Sequence, residues 1–171
     1  MSDIEPKVIS ALLERGCKSY EDAPYCELAM LLSVVRASNF VHLAHHWQTR
    51  GPTFYADHLM YERIYKATNK DVDAIAERAV GLGDHRLVDP LISSQQIADL
   101  VKVMMTGAKE SNVEQYVLRS LRAATMVVGM VKEVSDSLKK KGTLTGGTDN
   151  LLQQVADNQE GHLYLLRQRA R

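Results

Sequence analysis

Two pairs of metal-capable side chains, His58/Glu62 and Asp73/Glu77, are each spaced four residues apart within one stretch of helical periodicity. On an α-helix, residues four apart stack on one face. At about 100° per residue the four positions fall at roughly 0°, 40°, 60° and 100°, so one stripe about 100° wide carries them all. At about 1.5 Å rise per residue, His58 and Asp73 nevertheless stand roughly 22 Å apart. One copy of this helix cannot close both pairs around one ion. Two antiparallel copies can, because the pairs are symmetric about the point between residues 67 and 68. A two-fold axis there sets His58 beside Glu77 of the partner subunit, and Glu62 beside Asp73 of the partner subunit. An isologous dimer of this kind makes two equivalent sites. The spacing predicts a metal site that exists only between subunits.

The rest of the chain reads as helix. A short amphipathic helix is expected over 4–15, through Ile4, Val8, Leu12 and Leu13, with Gly16 stopping it. Pro24, following Asp22, suits the start of a second helix running down to Arg50, where Gly51-Pro52 breaks it. The metal-face helix follows from Thr53 to about Leu82. The stretch 84–107 is too long for a plain loop, and Ser93 or Ser94 could cap a short helix within it. A further long helix is expected from about Glu110 to Lys141, and a last one capped by Thr148 or Asp149. No segment sustains β-type alternation. The expectation is all-α: residues 1–20 form an N-terminal extension with a short helix. Residues 21–171 form a four-helix bundle with a short helix in the connection between the second and third long helices. This is the ferritin-like arrangement.

Composition narrows the function classes. The chain has 171 residues, 45% of them apolar and 25% charged, an ordinary globular profile. Twenty-one basic residues balance twenty-one acidic ones, so no global positive field draws in nucleic acid. Cys17 and Cys26 match no zinc spacing and suggest no disulfide framework, which favours a reducing cytosol. An acidic opening unlike a signal peptide and the lack of a long uncharged apolar run add to a cytoplasmic, non-membrane expectation.

Imidazole and carboxylate donors together suit iron, zinc or manganese, and a ligand set without thiolate argues against copper(I) and iron–sulfur clusters. His46 precedes His58 by twelve residues across the Gly51-Pro52 break, so a helical hairpin would bring it near. Two histidines and three carboxylates could bind iron(II), pass its electrons to an oxidant and hold the ferric product. Trp47 would add an apolar wall. Taken singly, either i,i+4 pair is more often a solvated surface pair; the two-fold arithmetic with His46 is what favours a metal site.

The pattern His46-Trp47-x3-Gly51-x2-Phe54-x3-His58-x3-Glu62, followed by Asp73-x2-Ala76-Glu77-Arg78-x4-Gly83, resembles the signature of Dps proteins, the mini-ferritins named for DNA protection during starvation. The resemblance implies a hollow dodecamer built from two-fold dimers. Iron(II) would be oxidised at inter-subunit ferroxidase centres, characteristically by hydrogen peroxide, with two ions per site and ferric mineral stored inside. One subunit would supply His46, His58 and Glu62, and its partner Asp73 and Glu77. Two positions depart from the pattern: Glu62 stands where the family commonly has aspartate, and Gln48-Thr49-Arg50 replaces the usual Asn-Val-Lys.

Other candidates carry less. His42 lies one turn before His46 and fits a supporting or core role, while His45 points elsewhere. His85 and His162 read as surface or structural, and Tyr61 and Tyr65 as packing residues. The resemblance also implies carboxylate-lined iron-entry pores near the start of the last helix, for which Asp149 and Asp157 are candidates, although an acid at 149 is equally explained as a helix cap. DNA binding is expected to be weak or absent, resting on Arg167, Arg169 and Arg171 of the C-terminus and multiplied only by avidity.

Overall fold

The computed structural model describes residues 5–21, 23–106 and 113–171. Among the described residues six α-helices follow one another: α1 (Pro6–Lys18), α2 (Cys26–Gln48), α3 (Phe54–Leu82), α4 (Pro90–Met105), α5 (Val113–Lys140) and α6 (Gly146–Arg169), with a 3₁₀ turn at His85–Val88 before α4. The four long helices α2, α3, α5 and α6 make the bundle; α2 packs on α3 and α5, and α6 on α5 and α3. Helix α4 is the short element between the second and third long helices, lying against α2 and α5. The expected ferritin-like bundle is therefore the observed fold.

Helix α2 is the centre of this arrangement. It touches α1, α3, α4 and α5, and most of its residues, from Cys26 to His46, are buried. A helix buried over most of its surface needs little polar face. This explains why α2, among the described residues, is the one helix long and apolar enough to cross a membrane by length and composition, while 72% of its apolar window lies inside the fold.

Local chemistry corrects several expected boundaries. Gly16 does not stop α1, which runs on to Lys18. Its bare backbone is instead a packing notch, since a Cβ there would collide with Met30 Sδ. Helix α4 begins not at Ser93 or Ser94 but at Pro90, with the Asp89 carboxylate accepting from the amides of Leu91 and Ile92 at 2.9 and 3.0 Å. An aspartate cap followed by proline at the first helical position is a strong start signal. Helix α6 is capped by Thr145 rather than Thr148 or Asp149, its hydroxyl accepting from Thr148 N at 3.2 Å. The expected positions at Ile4, Asp22 and Glu110 lie outside the described residues.

The N-terminal helix is fastened to the bundle by three devices. Gln96 of α4 accepts from Ser33 Oγ at 2.7 Å and donates to the Gly16 carbonyl at 3.1 Å. Ser10 Oγ donates to Glu133 of α5 at 2.7 Å. Cys17 and Cys26 form a disulfide, with Cα atoms 5.1 Å apart. The sequence reading of two unconnected cysteines is therefore wrong. The short α1–α2 linker doubles back through left-handed Glu21 (φ 42°) and Tyr25 (φ 64°), which puts the sulfurs in reach.

Candidate metal centre

His46 occupies the last turn of α2 and His58 the first turn of α3. The corner between them turns at Gly51, whose φ of 84° lies in the left-handed region that glycine enters without steric cost. As the hairpin expectation required, the two imidazoles meet, with ring centroids 3.7 Å apart and planes inclined by 24°.

Their hydrogen bonds are reciprocal. His46 Nδ1 donates to the His58 carbonyl at 2.9 Å, and His58 Nδ1 donates to the His46 carbonyl at 3.0 Å. A carbonyl can only accept, so both Nδ1 atoms carry their protons. Each ring in its neutral form is left with a lone pair on Nε2, the form a metal ligand needs. The fold thus fixes both tautomers and both ring orientations before any ion arrives. Tyr65 packs its edge on His46 at 5.2 Å, and Phe54 leans on His58 at 5.2 Å. Both contacts restrain ring rotation.

Glu62, one turn beyond His58, is half-buried, and its carboxylate accepts from the Lys66 ammonium at 2.5 Å. Lys66 first, and His46 and His58 more weakly, hold Glu62 below the usual carboxylate range. The carboxylate is therefore anionic and close enough to feel both rings. The sequence reading missed Lys66, though its i,i+4 spacing from Glu62 was a usable signal.

Asp73 and Glu77 lie further along α3, both exposed. Asp73 borders a groove between α2 and α3 together with Arg36, Asn39, Phe40 and Leu43, and Glu77 borders a separate depression with Arg78 and Leu151. One chain therefore brings His46, His58 and Glu62 to one corner and leaves the other two acids about four helical turns away. Apolar side chains flank the same outer face, with Phe40 55% and Trp47 67% exposed. Trp47 is not an inner wall within the single subunit.

The remaining histidines of the bundle are structural. His42 bridges Ser38 Oγ at 3.1 Å and Ser120 Oγ at 3.2 Å, and His45 reaches the same Ser120 oxygen at 2.8 Å while stacking on Tyr116. His162 is buried beside Gln159. Burial pushes all three imidazoles down, His45 to about 3 and His162 to about 4. Tyr61 is fully buried, with its ring edge-on to His45. His85 is exposed in the turn before α4.

No protein-family profile matches the chain. A curated protein of Helicobacter pylori described as "DNA protection during starvation protein" is 26% identical over 151 residues, which cover 85% of this chain and 99% of that one. Among solved structures, Dps from Thermosynechococcus elongatus superposes with a TM-score of 0.66 at 19% identity, covering 94% of this chain and 93% of that one. DpsC from Streptomyces coelicolor does so with a TM-score of 0.67 at 21% identity, covering 90% and 82%. The structural likenesses carry the fold, and the curated relative carries the sequence relationship along nearly its whole length.

Proposed function

We propose, on the premise that this chain is a Dps family mini-ferritin, that it oxidises iron(II) at centres shared between two subunits and stores the ferric product inside a hollow dodecamer. The observation that carries the proposal is the reciprocal His46–His58 bonding, which ties up both Nδ1 atoms on carbonyls and leaves Nε2 as the nitrogen each ring can offer a metal.

In this reading, His46, His58 and Glu62 of one subunit receive the iron(II) substrate, two ions per site. Asp73 and Glu77 of the partner subunit complete the ligand set. The imidazoles suit iron(II), and the three carboxylates favour the ferric state as it forms. The exposed apolar face around Phe40 and Trp47 is the surface that the partner covers. Hydrogen peroxide is the oxidant. Two iron(II) ions each give one electron, the O–O bond breaks, and both oxygens leave as water or enter the mineral: 2 Fe²⁺ + H₂O₂ + 2 H₂O → 2 FeO(OH) + 4 H⁺. Peroxide and iron(II) are consumed together, which suppresses hydroxyl-radical formation and protects against oxidative stress.

The test is subunit complementation. A His46→Ala/His58→Ala chain and an Asp73→Ala/Glu77→Ala chain should each assemble yet oxidise iron(II) near the buffer rate. Refolded together, every mixed dimer regains one intact centre of its two, and activity returns. Inactive mixtures with intact assembly would refute sharing.

A DNA-compacting cage remains the alternative reading, and the structure weakens its footing. Of the three C-terminal arginines, Arg169 is committed to Asp57, which leaves Arg167 and Arg171. Any DNA binding is proposed to be weak and salt-sensitive. We place the protein in the cytoplasm, where iron(II) and peroxide meet.

A further inference from the structure

At the opposite end of α2 from His46, about 30 Å away at the helical rise, three soft and hard donors converge. Cys17 Sγ, Cys26 Sγ and a Glu27 carboxylate oxygen all lie within 4.8 Å of one another, the one such group of three or more among the described residues. The two sulfurs are joined as a disulfide. Glu27 beside them is 1% exposed, and its two oxygens have different partners. Oε1 accepts from Lys141 Nζ at 2.6 Å and from Ser137 Oγ at 2.7 Å. Oε2 is turned to Cys26 Sγ, 3.7 Å away.

That separation is close to the edge of a tetrahedral site. With metal–sulfur and metal–oxygen bonds of about 2.3 and 2.0–2.2 Å, the sulfur-to-oxygen edge is about 3.5 Å. The Lys141 ammonium and the Ser137 hydroxyl both donate to Oε1, the partners a carboxylate takes. Lys141 and Ser137 fix one oxygen and so aim the other, the role outer-shell partners play at metal sites. Two thiolates and one carboxylate carry three negative charges. A divalent cation would reduce this to one, and the Lys141 ammonium balances the remainder. A groove of about 700 Å³ lined by both cysteines, Glu27 and Lys141 gives access from solvent.

We propose that the reduced Cys17–Cys26–Glu27 cluster is a binding site for a thiophilic divalent cation of the zinc class, with water from the groove as fourth ligand. Thiolates prefer such ions over iron(II) or magnesium. In the disulfide form neither sulfur is a thiolate, so the site is closed. A dithiol reductant opens it by giving two electrons and two protons to the S–S bond and becoming a disulfide itself. Cation binding then releases both thiol protons. The site is independent of the iron centre and does not rest on that assignment.

The test uses cobalt(II) as the probe on full-length protein, either reduced and freed of reductant without air or left oxidised. Thiolate ligation gives a near-ultraviolet charge-transfer band that imidazole and carboxylate ligands do not. Reduced protein should show this band at one cobalt(II) per subunit, displaced by zinc(II). The oxidised protein and Cys26→Ser should lack it, and His46→Ala/His58→Ala should keep it. Glu27→Gln, which preserves the shape of the buried side chain, should retain the band but weaken binding about tenfold or more. No band in the reduced protein, an equal band in the oxidised protein, or unaltered affinity in Glu27→Gln would overturn the proposal.

Discussion

Arg169 and Asp57, 112 residues apart in the chain, are joined by a two-pronged ion pair: Nε donates to Oδ1 at 2.6 Å and Nη2 to Oδ2 at 3.1 Å. Thr53 closes the group, donating to Asp57 Oδ2 at 2.8 Å and accepting from Arg169 Nη2 at 3.2 Å. Asp57 is buried and immediately precedes His58, so the end of α6 pins the helical turn that carries this proposed iron ligand.

Removing the guanidinium would strand a buried carboxylate. Arg169→Ala should therefore cost about 3 kcal/mol in urea unfolding. Arg169→Lys, which keeps charge but not the fork, should lose less. Arg167→Gln/Arg171→Gln should leave stability unaltered and remove whatever low-salt DNA binding exists.

Lys66 holds the Glu62 carboxylate and would compete with iron(II) at the proposed site. The pair is partly exposed, with side chains 61% and 33% accessible, so solvent screens it and it is readily broken. Lys66→Ala should strengthen iron(II) binding by up to about fivefold, measured by anaerobic calorimetry. Weaker binding would mean that Lys66 supports the site rather than blocking it.

Where the chemistry is local, the sequence was readable. The four-residue spacings placed His58, Glu62, Asp73 and Glu77 on α3, and Gly51-Pro52 foretold the corner that brings His46 to His58. Distant pairings were not readable. Nothing in one sequence links Arg169 to Asp57, or tells that Cys17 and Cys26 face each other across a linker with two left-handed residues. Gly16 misled because glycine serves equally as a helix stop and as a notch at a helix crossing. Asp89-Pro90 was a missed start signal, lost beside the serines that follow it.

Trp47 is the single tryptophan and is 67% exposed in the isolated subunit. If the partner covers that face, assembled protein should emit with the blue-shifted maximum of a shielded indole. Trp47→Glu should yield smaller species by light scattering. A fully solvated emission spectrum from the intact assembly would count against the two-fold contact.

Acid should destabilise the metal-free protein partly through His162. Burial lowers its folded pKa from 6.5 to about 4, so its neutral form contributes stability that is complete above pH 6.5. That contribution is lost as pH falls towards 4. Asp71 acts with opposite sign, because burial pushes its carboxyl up to about 6 and its contribution declines as pH rises from 3.8 through 6. His162→Gln isolates the first effect: its denaturation midpoint should drop less between pH 7 and pH 5 than that of the wild type.

Of the helices that α2 packs against, α1 precedes it, but α3, α4 and α5 are all made after it. During synthesis the 26–48 segment leaves the ribosome with its greasy surface bare, and its last major partner is complete only at Lys140. Nascent chains that expose such a stretch are prone to aggregate and are natural clients of chaperones. The segment that best organises the finished protein is thus the greatest hazard in its making.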